Sequence, residues 1–171
     1  MKRIMNIDEV ELQLRHGAFA ATGAAAERFD ARMGQIGPEI GAQKLGYNLT
    51  VVPPGKRAFP FHSHMANEEM FFVLSGSGEV RIGDETYPLR GGDVVACPPG
   101  GRETAHQIEN TGDVELRYLA VSTRISPEVC EYPDSDKYAV LAHMPNAGDG
   151  KPGFFRVIGR SRDSLDYWEG E

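Results

Sequence analysis

Between residues 44 and 123 the chain is cut at short, near-regular intervals by turn signals, and this punctuation limits its possible folds more than any other feature. Pro53-Pro54-Gly55, Ser75-Gly76-Ser77-Gly78, Gly83-Asp84, Arg90-Gly91-Gly92, the loop 98–101 and Asn110-Thr111-Gly112-Asp113 separate segments too short for packed helices. The segments 44–52, 58–64, 69–74, 79–82, 85–89, 93–96, 105–109 and 115–123 read as strands, the first of them (KLGYNLTVV) by its alternation. Gly83-Asp84 is a strong two-residue hairpin signal. Many short strands at such spacing indicate an all-β sandwich or barrel. The 20 glycines and 11 prolines of the 171 residues fit that reading without reaching the level of disorder.

A chain of this length is expected to form a single domain, 1–171, with a sizeable core. Residues 1–43 are weakly patterned and read as an N-terminal arm with one short helix at most. Residues 44–123 carry the predicted strands and are expected to form the sandwich or barrel itself. Residues 124–171 are polar and poorly periodic, and read as a tail wrapping the barrel or a neighbouring subunit. The net charge of −7, with no basic run, argues against nucleic-acid binding. Cys97 and Cys130 are the only two cysteines and read as free thiols of a reducing compartment. Met1-Lys2-Arg3 is basic, but no apolar segment follows it, and AFAATGAAA (18–26) is too short and polar for a signal core or membrane span. The expectation is a cytoplasmic protein without a membrane partner.

Against this background, three of the five histidines stand out. His62, His64 and Glu69 occur in GKRAFPFHSHMANEEMFFVLSG (55–76), and His106 in GDVVACPPGGRETAHQIEN (92–110). On a strand, His62 and His64 point to one face. A reversal at residues 66–68 brings Glu69 onto the adjacent strand, where it shares a face with Phe71 and Val73. Glu68 is the rival carboxylate, but its parity groups it with Met70, Phe72 and Leu74 on the opposite face. His106 arrives from a later strand. A lone histidine in a strand is usually structural. A His-x-His pair followed by a carboxylate and a distant histidine is a candidate site for one divalent transition metal such as Fe, Mn, Ni, Co or Zn. Three or four protein ligands leave coordination positions open to substrate.

These residues resemble the two motifs of the cupin superfamily. The first is matched by Gly55, His62, His64, Glu69 and Gly76, and the second by Gly92, Pro98, Gly100, His106 and Asn110. The gap from Gly55 to His62 is one residue longer than the family pattern, and that from Gly100 to His106 three residues longer. The flanks EYPDSDKY (131–138) and DYWEGE (166–171), with KLGYNL and GDVVACPPGG, look like those of stand-alone bacterial single-domain cupins, some described as sugar-phosphate isomerases. The resemblance implies a conical β-barrel of jelly-roll type, a mononuclear metal site on His62, His64, Glu69 and His106, and a homodimer.

Other residues are weighed against ordinary structural roles. Lys56, Arg57 and Arg102 flank the motif loops and could hold an anionic substrate, although surface charge is the commoner explanation. Gln43, Tyr47, Asn48 and Tyr118 could line a cavity if their parity turns them inward, and the substrate-binding set is read as Arg57, Tyr47, Tyr118 and Arg102. Cys97 reads as a buried structural thiol. Tyr132, Asp134 and Lys137 read as anchors of the tail or a cap on the pocket, and Trp168 as a packed anchor. No Gly-rich phosphate loop precedes a helix, so no nucleotide cofactor is expected. The leading functional expectation is a metal-dependent isomerase acting on a small polar substrate. An iron dioxygenase would use the same four ligands, and a non-catalytic ligand-binding cupin would more often have lost some of them.

Overall fold

A computed structural model describes residues 2–15, 17, 20–146, 151 and 153–171. Met1, Ala18 and Phe19, on which the readings of the basic start and the small-residue stretch partly fall, lie outside the described residues. The strands are β1 (Gln13–Leu14), β2 (Arg32–Gln35), β3 (Leu45–Val52), β4 (Ser63–His64), β5 (Glu69–Ser75), β6 (Ser77–Ile82) and β7 (Glu85–Arg90). They continue with β8 (Val94–Cys97), β9 (His106–Glu109), β10 (Leu116–Thr123), β11 (Glu128–Tyr132), β12 (Lys137–Met144) and β13 (Gly153–Gly159). A single-turn α-helix, α1 (Gly37–Ile40), precedes β3. No helix among the described residues is long and apolar enough to cross a membrane.

All strand pairings are antiparallel, in sheets ordered β1-β2-β3-β10-β5-β8, β13-β12-β11-β4 and β7-β6-β9. Together they form a barrel of jelly-roll type. Its core follows the two-residue period of a strand. Phe71 and Val73 on β5, Val95 and Cys97 on β8, and Leu116, Tyr118 and Ala120 on β10 all turn inward. The hairpin at Gly83-Asp84 joins β6 and β7, where Ile82 pairs with Glu85. Pro88 sits on β7, the edge of its sheet, where a missing N–H is tolerated.

At Ser75–Gly78 the structure is tighter than the four-residue turn read from the sequence. Only Gly76 leaves the ladder, at φ 85°, and a Cβ there would lie 2.5 Å from the Glu115 carbonyl oxygen. Gly78 already belongs to β6, and a Cβ on it would meet the Glu109 carbonyl at 2.3 Å. The bend therefore needs glycine for close approach as much as for backbone angle.

The N-terminal segment is a second layer. β2 pairs with β3, and Val10 and Ile36 pack with Leu49 and Val51 on the outer face of that strand. This is why the last four residues of β3 are all buried, since both faces are covered. The segment after residue 123, expected to be irregular, carries β11, β12 and β13. β11 pairs directly with β4, opposing Cys130 to His64, so this region forms part of the wall around the histidines. Its weak periodicity follows from partial exposure: β13 is an edge strand with Phe154 and Ile158 both 54% exposed.

Candidate metal centre

Three short stretches place the histidines. Ser63–His64 is the whole of β4, and the rest of the expected longer strand 58–64 carries a single isolated bridge, at His62. His62 bridges His106 through a reciprocal pair of backbone hydrogen bonds, 2.8 and 3.2 Å. Their rings consequently stand 4.7 Å apart, with His64 5.0 Å from His62. Glu69 opens β5 and points the same way as Phe71 and Val73, whereas Glu68 is exposed.

One oxygen of Glu69 is the meeting point. Its Oε2 lies 3.1 Å from His106 Nε2, 3.4 Å from His64 Nε2 and 3.9 Å from His62 Nε2. Ligand atoms of His62, His64 and Glu69 all lie within 4.8 Å of one another. The other ring nitrogens are occupied. His62 Nδ1 donates to the Pro60 carbonyl at 2.8 Å, and His106 Nδ1 faces the Thr104 carbonyl at 3.3 Å. His64 Nδ1 lies 3.5 Å from Glu128 Oε2 and 3.4 Å from Cys130 Sγ. With a proton held on each Nδ1, the neutral rings present Nε2 lone pairs to the carboxylate. Lone pairs facing an anion repel unless a cation stands among them. His64 Nε2 is also buried without a well-directed hydrogen-bond partner. The donor set therefore fits a divalent metal with nitrogen and oxygen ligands.

Without a metal, protons answer the same demand. Burial, reinforced by the other histidines, pulls the His62 pKa down to about 3. Burial also opposes charge on His64, but its contacts with Cys130 and Glu69 outweigh that and lift its pKa to about 10. Burial likewise opposes ionisation of Glu69, yet His106 and His64 hold its carboxyl well below the ordinary range. Cys97 pairs with Glu69 across β5 and β8, and burial together with that carboxylate pushes its thiol up to about 12. It is an inert neutral group, as expected from the sequence.

Glu128 went unnoticed in the sequence. It is buried and accepts hydrogen bonds from the backbone N–H groups of Met65, Ala66 and Asn67 at 3.1, 3.0 and 2.9 Å, and from the Asn67 side chain. It shapes the reversal between His64 and Glu69 while facing His64 Nδ1, as carboxylates behind metal-binding histidines commonly do. No local motif marks it, because it lies 64 residues beyond His64 in the chain.

Two hollows meet at Glu69. The inner one, about 50 Å³, is lined by Asn48, Phe59, Phe71, Gln107, Ile108 and Tyr118 beside His62 and His106. The outer one, about 240 Å³, is lined by His64, Asn67, Arg124, Glu128 and His143 among others. Tyr118 is fully buried, and burial raises its phenol well above the ordinary range, so its hydroxyl stays protonated. It interacts with Thr50, whose hydroxyl donates to Asn48 Oδ1 at 2.7 Å.

The remaining expected residues divide. Tyr118 reaches the inner hollow, but Tyr47 does not: it packs with Leu49 and Val51 on the outer face of β3 under the N-terminal layer. Parity decides this, since Asn48, Thr50 and Val52 take the inner face. Arg102 is exposed and pairs with Asp84 at 3.5 Å, lining neither hollow. Gln43 is exposed. Lys56 is bound to the carbonyls of Ala26 and Glu27, tying down the N-terminal layer. Arg57 pairs with Glu109 and faces a separate cavity. Tyr132 stacks against His62 at 6.1 Å, so it borders the site, while Asp134 anchors to Arg81 at 2.8 Å. Trp168 was expected to pack as an anchor. It is instead 72% exposed and touches Tyr167 edge to face.

Comparison with known proteins agrees with this architecture. The cupin domain model matches residues 48–122. Protein SchB of Streptomyces halstedii is 32% identical over 117 residues, covering 68% of this chain and 74% of that protein. An oxalate-binding protein of Thermotoga maritima is 34% identical over 70 residues, 41% of this chain, and the match spans only about half, 54%, of that protein. A solved structure from Silicibacter pomeroyi, described as a sugar phosphate isomerase from a cupin superfamily, superimposes with a TM-score of 0.76 at 25% identity over 96% of this chain and 97% of that one. Motif residues, jelly-roll barrel and relatives agree: the chain belongs to the cupin family.

Proposed function

We propose that this cupin is a metal-dependent enzyme holding one divalent transition ion (Fe, Mn, Ni, Co or Zn) on His62, His64, Glu69 and His106. In this reading it isomerises a small polar substrate such as a sugar or sugar phosphate. The observation that carries it is the convergence of three Nε2 atoms on one Glu69 oxygen beside a hollow that also presents Asn48, Gln107 and Tyr118. A bound divalent ion supplies Lewis acidity to adjacent carbonyl and hydroxyl oxygens. The protein's own groups do the rest. Tyr118, kept neutral, and the amides of Asn48 and Gln107 offer hydrogen bonds that orient a hydroxylated substrate. Phe59, Phe71 and Ile108 close the hollow against bulk water. The names of the Silicibacter and Thermotoga relatives support a small, oxygen-rich ligand.

A second reading, an iron-dependent dioxygenase, is favoured by the apolar part of the same hollow, which suits dioxygen beside the ion. The proposed setting is the cytoplasm, as a homodimer. The exposed apolar edge strand β13 supports that assembly, because edge strands left open invite pairing.

Elemental analysis of anaerobically purified protein, with His62→Ala as control, tests the metal. Solvent-deuterium incorporation into candidate aldoses, ketoses and their phosphates, followed by NMR, tests the reaction. Near-stoichiometric metal lost in the variant, with metal-dependent exchange, supports the isomerase. Stoichiometric iron with oxygen uptake and no exchange supports the dioxygenase. Protein that binds no metal after reconstitution refutes both.

A further inference from the structure

Outside the candidate metal centre, the N-terminal layer, the 57–61 segment and strands β6 and β9 enclose a cavity of about 820 Å³. Its charge runs against that of the chain, which is −7 overall. Five cationic side chains, Arg15, Arg28, Arg57, Arg81 and Lys137, line it together with three carboxylates, Glu79, Glu109 and Asp134. Arg57 is paired with Glu109, and Arg81 with Asp134. Arg15, Arg28 and Lys137 have no carboxylate partner among the described residues. Glu79 alone stands against those three, which leaves the wall two positive charges in excess.

These cations are also held in place. The Arg15 guanidinium lies 3.8 Å from the centre of the Phe59 ring, Arg81 lies 3.7 Å from that of Phe61, and Lys137 Nζ lies 5.5 Å from that of Tyr132. Stacking leaves the edges of a guanidinium free to donate, so its fork remains available to a planar or tetrahedral anion. Phe29 and Phe61 add apolar wall beside the charges, and Thr86 and Ser135 add hydroxyls.

The geometry points to a second ligand site in this cavity, for a small molecule bearing a phosphate group. A phosphate monoester carries about −1.5 to −2 charges near pH 7, which matches the excess, and arginine forks suit its oxygens. The volume admits a body larger than the phosphate itself, resting against the aromatic wall. The cavity backs onto the metal pocket through Phe59 and Gln107, whose side-chain amide donates to the Phe59 carbonyl at 2.8 Å. The site does not depend on any metal.

Calorimetric titration of metal-free protein with inorganic phosphate, glucose 6-phosphate, glucose and citrate tests the assignment without involving the metal reading. The expected result is saturable binding of phosphate and glucose 6-phosphate, the sugar phosphate more tightly, with none of glucose. Arg15→Gln, Arg28→Gln and Lys137→Gln should each weaken glucose 6-phosphate at least 5-fold. Lys44→Gln, at an exposed lysine that does not line the cavity, should leave it unchanged. Arg28 is exposed, so its variant should fold normally, as circular dichroism would verify. Absence of phosphate binding, binding indifferent to all three variants, or binding of citrate alone would each overturn the proposal.

Discussion

Replacing Glu128 with glutamine should destabilise the metal-free protein by about 4 kcal/mol and weaken metal binding by about 10- to 100-fold. The magnitude follows from how its two oxygens are used. Oε1 accepts from the backbone N–H of Met65, Ala66 and Val129, and Oε2 from the backbone and side chain of Asn67, with His64 Nδ1 at 3.5 Å. Whichever way the new amide turns, its NH₂ faces at least two of these donors. Each buried donor left without an acceptor costs about 1–3 kcal/mol, so two give about 2–6. The loss falls on the turn that sets His64 against Glu69, so the effect on metal affinity should exceed that of an equally destabilising core change. Urea denaturation gives the first quantity and competition with a zinc chelator the second. Leu116→Ala, a core truncation expected to cost about 2–5 kcal/mol, is the control that should leave affinity intact. A Glu128→Gln protein within about 1 kcal/mol of wild type, or one whose affinity changes no more than that of the control, would refute the reasoning.

Further outcomes follow from the same contacts. Glu69→Gln should lower bound metal at least 10-fold by elemental analysis, while Glu68→Gln on the exposed face should leave it unchanged; equal losses would reverse the parity assignment. Asn110→Ala should cost about 3 kcal/mol in a denaturant titration. Its buried amide donates to the Val52 and Val114 carbonyls, both at 2.8 Å, and accepts from Gly112 N–H at 3.0 Å, so truncation leaves three backbone groups without these partners. Metal-free protein should be most stable near pH 6.5, the ordinary histidine value. As pH falls below it, unfolded His62 takes up a proton that the folded ring refuses until about 3, so stability drops. As pH rises above it, unfolded His64 releases a proton that the folded ring keeps until about 10, and stability drops again. Urea titrations at pH 4.5, 6.5 and 9 check this, and a profile that only rises or only falls would count against it.

Much of the centre was legible because strand geometry is local. His62 and His64 share a face by spacing alone, and the two-residue period separates Glu69 from Glu68 without knowledge of the fold. The same period left Tyr47 and Asn48 undecided, since it sorts residues into two faces without saying which face is the inside. On β3 both faces are buried, one by the barrel core and one by Val10 and Ile36, so hydrophobicity could not mark the inner side. The strands after residue 123 escaped notice for a related reason: their half-exposed positions blur the alternation that identifies a strand.

The sequence by itself determined the class of fold and singled out the four side chains of the candidate centre, because turn residues act through backbone angles a few positions away and a His-x-His pair acts through strand parity. Tertiary structure alone decided what lies behind and beside them. Glu128 reaches His64 only because β11 pairs with β4, and Arg15 and Lys137 face one cavity only because the N-terminal layer folds across the barrel. Such contacts join residues dozens of positions apart, and their charges and hydrogen bonds leave no local pattern from which the partner can be read.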